Sequence, residues 1–190
     1  EAFRNAAYLR DFIWKLLKNL LSGAGKKNIL RFDGNLIKLP SKPPPTLPFW
    51  NVLERFALIP GAENLNRDDL ALRAKQFGID PDKHDPREKI ADEIFKKICR
   101  PKLIQPVYVI DHPLSISPLA KRLKNKENNA DRFQLIIGGI ELVNGFSELN
   151  DPVEQRSRLE TQEKLRKTEF KEAHPMDEDF LEMMEYGMPP

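Results

Sequence analysis

The sequence predicts an α+β domain, and three observations carry that expectation. Apolar residues recur at helical spacing near the start of the chain, at Leu9, Phe12, Ile13, Leu16, Leu17 and Leu20. Two stretches, 29–39 and 132–146, hold Asp33-Gly34 and Gly138-Gly139 between apolar runs, the residue pairs that close antiparallel hairpins. A long charged segment after Asp151-Pro152 reads as a further helix, because proline suits a first helical turn.

Taken in order, the first helix should stop at Gly23, which can adopt a left-handed cap. Asp33-Gly34 suits a type I′ turn, and "PSKPPPTLP" (40–48) is a proline-rich connector with no helical option. A short helix is expected over 49–58 and a second from Arg67 to Phe77, with Asn66 as N-cap and Gly78 as stop. A third begins at Asp85-Pro86, with Glu88 three residues after the cap, and carries Ile90, Ile94, Phe95 and Ile98. Together 49–100 reads as a helical subdomain within one domain spanning 1–190. "VYVID" (107–111) is a buried strand, the charged helix runs from Asp151-Pro152 to about Lys171, and a last helix spans 177–186.

Composition excludes several classes of function. The chain has 190 residues, 40% of them hydrophobic and 32% charged, and a net charge of only +2, which gives no general affinity for nucleic acid. A single cysteine, Cys99, rules out an internal disulfide or a cysteine-rich zinc site and fits a reducing cytoplasm. His84, His112 and His174 form no HxxxH pair, and no apolar run nears the ~18 residues that span a bilayer. The chain starts at Glu1 and stops at "YGMPP", as a segment of something longer would.

The second hairpin is oddly polar. With a two-residue loop at Gly138-Gly139, Ile137 pairs with Ile140, Ile136 with Glu141 and Gln134 with Val143. Arg132, Gln134, Ile136, Glu141 and Val143 then share one face, and Asn144, Phe146 and Glu148 take the other. A β-bulge near Asn144-Gly145 would bring them all to one side. Such a face is either simply wet or the floor of a cleft that sets carboxylates against a cationic or metal-bound ligand.

Three motifs, in this order and spacing, resemble one family: "HPLSISPLAKR" (112–122), "RFQLIIGGIELVNGFSELNDPVEQRSRLETQ" (132–162) and "DEDFLEMMEYGMPP" (177–190). They are similar to the catalytic domain of bacterial class II lysyl-tRNA synthetases. The likeness runs from about residue 1 to the end and is weakest between 25 and 85. It implies an antiparallel sheet flanked by helices, with the active site on the sheet. It also implies activation of lysine with ATP, followed by transfer of lysine to its tRNA. Glu141 would bind magnesium and ATP, with Gln134 at the position of a second metal ligand. Glu1, Phe3, Asn144, Phe146 and Glu148 would line the lysine pocket. The partners implied are lysine, ATP and lysine tRNA, with a homodimer in the complete protein, no membrane, and the cytoplasm as location.

Departures from the family pattern are specific. Gln134 replaces a glutamate, and a neutral amide holds Mg²⁺ less strongly. Phe3 replaces a tyrosine, Ile140 a basic residue, and "NAAYL" (5–9) a run that usually reads "AYADY". The two arginines that define the family's second and third motifs would lie outside these residues, so no catalytic residue is assigned within the chain, and the fragment by itself is expected to be inactive. Two other readings fit parts of the pattern: a related lysine ligase acting on elongation factor P, and a non-catalytic paralogue that binds lysine or a protein.

Overall fold

The computed structural model of the chain describes residues 2–25, 28–167 and 175–189. Helix α1 (Ala6–Gly23) opens on Asn5, whose side chain accepts a hydrogen bond from the Tyr8 amide at 3.0 Å. A cap of this kind stabilises a helix by about 1 kcal/mol. The helix ends without the left-handed residue expected at Gly23; that conformation falls at Gly25, φ 67°. Strands β1 (Ile29–Phe32) and β2 (Asn35–Lys38) form the first hairpin. Asp33 and Gly34 both have positive φ, as a type I′ turn requires.

The proline-rich connector ends in a strand that its composition does not reveal, β3 (Thr46–Pro48). Then follow α2 (Phe49–Phe56), α3 (Arg67–Gln76) and α4 (Arg87–Ile94). The Asn66 cap on α3 forms as expected, accepting from the Asp69 amide at 2.9 Å. The capping box at α4 does not form. Pro86 is its N-cap, and Asp85 turns back to accept from the Asp82 amide at 2.9 Å. Beyond α4 the backbone loosens into a π-helical turn, Phe95–Cys99, a geometry found mostly as single turns near functional sites.

Strands β4 (Val107–Pro113), β5 (Arg122–Leu123), β6 (Lys126–Ile137) and β7 (Ile140–Phe146) complete a five-stranded sheet with β3. The sheet is mixed, not purely antiparallel, because β3 pairs with β4 in parallel. The long helical excursion between those two strands is the crossover that parallel neighbours need. All other pairs are antiparallel. Helices α5 (Pro152–Lys167) and α6 (Glu178–Gly187) follow, and the residues after Lys167 to which α5 was expected to run lie outside those described.

The sheet is packed on both faces. On one side Phe133, Leu135 and Tyr108 are buried, with Val143 against them, under Ala6, Leu9, Ile13 and Leu17 of α1. On the other side the helices of 49–100 pack Phe49, Leu53, Ile94 and Phe95 against Val107, Val109 and Ile136 in a continuous core. Burying a side chain of this size contributes about 1.5–3 kcal/mol. No helix among the described residues is long and apolar enough to cross a membrane.

The family signature runs are bound to one another. Gln155 of α5 donates to the Pro118 carbonyl at 3.2 Å, and Arg158 donates to Ala120 at 2.6 Å. Arg122 closes an ion pair with Glu154 at 3.1 Å. The charged helix thus latches the "SPLAKR" loop beside the sheet.

Candidate active-site cleft

The register of the second hairpin decides which polar residues meet. Ile137 pairs with Ile140 and Ile136 with Glu141, as expected, but Gln134 pairs with Asn144 and not with Val143. The bulge exists, yet it falls at Leu142 and not at Asn144-Gly145. One extra residue there reverses the alternation of everything after it. Val143 turns to the apolar side, against α1. Arg132, Gln134 and Ile136 then share a face with their direct partners Phe146, Asn144 and Glu141. Leu142 itself, with Ile140, borders an apolar groove beside α1 and the first hairpin.

Gly145 makes this register possible. A Cβ at that position would lie 2.7 Å from the Phe133 ring, so only glycine lets β7 close on β6 there.

Arg132 organises the centre of the face. Its Nε donates to Asn144 Oδ1 at 3.0 Å, and Nη1 donates to the Ile116 carbonyl and to Ser117 Oγ, both at 3.1 Å. Burial, opposed by the charges of Asp92 and Glu141, lowers its pKa. Asn144 is therefore committed to Arg132, and Phe146 stands half-buried beside it as the cross-strand partner.

A cavity of about 310 Å³ opens at the Glu141 end, lined by Lys89, Asp92, Lys96, Arg132, Gln134 and Glu141 among others. Glu141 Oε2 accepts from Gln134 Nε2 at 2.8 Å, and Arg100 Nη1 lies 3.8 Å from the same oxygen. Behind Gln134, His112 is buried between the rings of Phe49 and Phe95, with Nε2 3.1 Å from Gln134 Oε1. Burial, and then the Arg132 charge, push the His112 pKa down to about 3, so the ring is neutral. The donor set fits a cation carried by phosphate. Mg²⁺ is commonly held by one or two carboxylates plus substrate phosphates, and Glu141 offers one carboxylate. No cluster of three acidic, histidine or cysteine ligands occurs among the described residues.

A second cavity, about 650 Å³, opens at the other end, where Glu148 joins Phe3, Arg4, Asn5, Asp111, Asp131 and the basic hairpin turn 121–126. Glu148 follows β7 and bridges to Ala120. Among the described residues no hydrogen bond or ion pair reaches its carboxylate, and burial raises its pKa. Neighbouring acids are engaged: Asp131 accepts from Ser147 Oγ at 2.5 Å and Asp111 from Lys126 at 2.7 Å. Phe3 is exposed and holds φ 60°, a strained conformation for a bulky residue.

The structure therefore brings Glu148 together with Phe3, and Glu141 with Gln134, while Asn144 and Phe146 stand between them around Arg132. Glu1 lies outside the described residues. His112, Arg132, Arg100, Lys89, Asp92 and Lys96 took no part in the sequence-based site. Only Arg132 left a signal, two positions before Gln134 on the same strand face; the others come from distant segments.

Comparison with known proteins identifies the family of the chain. The family model described as "tRNA synthetases class II (D, K and N)" matches residues 2–190. A lysine–tRNA ligase of Moorella thermoacetica is 36% identical over 195 residues, covering 100% of this chain and 39% of that protein. One from Gloeobacter violaceus is 35% identical over 190 residues, covering 100% of the chain and 38% of the relative. One from Listeria monocytogenes is 48% identical over 128 residues, 67% of the chain and 26% of the relative. The chain thus spans about two fifths of the length of the relatives it matches in full. It belongs to the class II tRNA synthetases of the D, K and N group.

Proposed function

We propose that the protein carrying this chain is a lysine–tRNA ligase, that it activates lysine with ATP, and that this chain supplies the lysine- and phosphate-facing part of its catalytic cleft. The single observation that carries the reading is the division of acidic groups: Glu141 is held in a cavity bordered by Lys89, Asp92, Lys96 and Arg132, and Glu148 lies in another with no hydrogen bond or ion pair among the described residues. The first arrangement suits a polyphosphate with its cation. The second suits a substrate ammonium, since an unpaired carboxylate in a half-buried pocket is costly until a cation joins it.

In this scheme Glu148 binds the lysine ammonium, with Phe3 and Phe146 supplying apolar walls for its methylene chain. Glu1 belongs to the same pocket in the family resemblance. Asn144, fixed by Arg132, presents its amide to the substrate. A carboxylate oxygen of lysine attacks the α-phosphorus of ATP and pyrophosphate leaves; the 3′-terminal hydroxyl of lysine tRNA then takes the lysyl group and AMP leaves. Bound at Glu141, Mg²⁺ would neutralise phosphate charge during the first displacement. Arg132, Lys89 of α4 and Lys96 of the π-helical turn keep the phosphate end cationic, and the latch between α5 and the "SPLAKR" loop holds Arg132 in place. The complete protein is proposed to work as a homodimer in the cytoplasm, and the 190-residue chain alone to be inactive.

Lysine-dependent exchange of pyrophosphate into ATP, measured on the full-length protein with a panel of amino acids, tests the reading. Exchange with lysine alone is the expected outcome. Exchange driven by another amino acid would overturn the substrate, and exchange with none would favour a non-catalytic paralogue.

A further inference from the structure

The hydrogen bonds around Gln134 fix which way its amide points. The Glu141 carboxylate can only accept, so the group 2.8 Å from Oε2 must be the amide NH₂. Turning the amide over would set two acceptors against each other at that distance. The amide oxygen therefore faces His112 at 3.1 Å, and His112 must donate from Nε2. Its Nδ1 is then a bare acceptor, in keeping with a buried Nδ1 that has no hydrogen-bond partner. The order is fixed from end to end: His112 donates to Gln134, and Gln134 donates to Glu141.

We propose that Gln134 is a positioning residue and not a metal ligand: held by His112, it aims the Glu141 carboxylate at the cation, and that one carboxylate is the protein's share of the coordination. The proposal rests on the reading of Glu141 given above. Oxygen is the only metal-binding atom a glutamine offers, and here it is turned to buried His112, which does not line the cavity. The helical middle of the chain fixes both ends of this line. Phe95, on the π-helical turn, meets the His112 ring edge-on with centroids 6.5 Å apart, and Phe49 covers it from α2 at 5.5 Å. Arg100, directly after that turn, lies 3.8 Å from the same Glu141 oxygen that accepts from the amide. Segment 49–100 thereby acquires a role: besides lining the cavity with Lys89, Asp92 and Lys96, it sets the orientation of Glu141, which belongs to the sheet. Groups that orient a metal-binding side chain typically change metal affinity 10–100-fold when removed.

The test uses the full-length protein with Mn²⁺ and a non-hydrolysable ATP analogue. Anomalous scattering from crystals locates the ion, and electron paramagnetic resonance titration gives its affinity. The expected result is Mn²⁺ bonded to a Glu141 oxygen, with Gln134 Oε1 still on His112, and an affinity about 10–100-fold weaker in Gln134→Met. Mn²⁺ bonded to the Gln134 oxygen would overturn this proposal and leave the role of Glu141 intact. An unchanged affinity in a Gln134→Met protein that melts like the parent would also overturn it. Absence of Mn²⁺ from Glu141 would overturn both the proposal and the reading beneath it. Should Gln134→Met fail to fold, His112→Phe frees the amide oxygen instead. Weaker Mn²⁺ binding then supports positioning, and equal or tighter binding contradicts it.

Discussion

Glu141 and Glu148 belong to one short stretch of chain, and the fold treats them differently. Glu141 accepts a hydrogen bond from Gln134, faces Arg100, and is backed through Gln134 by a buried histidine. Glu148 sits in the larger cavity with no partner among the described residues and with its pKa raised by burial. A carboxylate that the protein has already satisfied is rigid, and suits a ligand whose geometry must be exact. A carboxylate left unsatisfied stores unfavourable free energy that a cationic substrate relieves on binding. In the proposed function, this contrast is what supports giving the phosphate and cation to the Glu141 cavity and the ammonium to the Glu148 cavity.

The largest effect is expected from breaking the satisfied end. Glu141→Gln in the full-length protein should lower lysine-dependent pyrophosphate exchange by roughly 10²–10³-fold, the usual cost of losing one charge-stabilising group. Thermal melting should barely move, because the new amide oxygen can still accept from Gln134. A loss of activity that merely followed a loss of folding would count against a cleft role for Glu141.

The next effect tests the register that puts Glu141, Asn144 and Phe146 on one face with Gln134 and Arg132. Gly145→Ala drives a methyl group to 2.7 Å from the Phe133 ring and should destabilise the fold by about 1–3 kcal/mol in chemical denaturation. Phe133→Leu in the same chain should recover part of that loss, since the two residues are direct partners across β6 and β7. Additive losses in the double mutant would mean that the close approach of glycine and ring is not what sets the register.

The smallest effect has the most diagnostic sign. Because burial raises the Glu148 pKa, its charged form is disfavoured in the folded state relative to the unfolded chain. This penalty is present at neutral pH and is relieved as pH falls toward the raised pKa. Glu148→Gln should therefore melt at a higher temperature than the parent at pH 7, and the two should converge as the pH is lowered through the carboxylate range. A variant that melts lower at pH 7 would show that Glu148 already has a stabilising partner.

Much of this was legible in the sequence, for reasons that can be named. The turn pairs Asp33-Gly34 and Gly138-Gly139 have a narrow chemistry, so both hairpins and the first pairs of their registers follow from the residues. Asn66 and the helical spacings around it locate α3 for the same reason. The bulge was readable only as a need: the polar residues required a reversal of alternation, but no residue marks Leu142 as its place. Strand β3 was hidden because prolines and a threonine carry no strand pattern, and its partner lies beyond the helical excursion. His112 was unreadable for a different reason. Its partner Gln134 is nearby in space only because β4 and β6 are adjacent, and a lone histidine carries no spacing. The motifs that carry the family resemblance have a structural part: Gln155, Arg158 and Arg122 bind the "SPLAKR" loop and α5 to each other. Glu141 and Glu148 were found by the same motifs, whereas the groups that distinguish them, Gln134, His112 and Arg100, meet only in the fold.

The most direct test of the contrast is calorimetric titration of the full-length protein with L-lysine, for the parent and for Glu148→Gln and Glu141→Gln. The expected result is a loss of about 100-fold in lysine affinity for Glu148→Gln, the cost of removing one side of a charge pair, and near-parental affinity for Glu141→Gln. Parental lysine affinity in Glu148→Gln, or an equal loss in both variants, would contradict the division of the cleft on which the account stands.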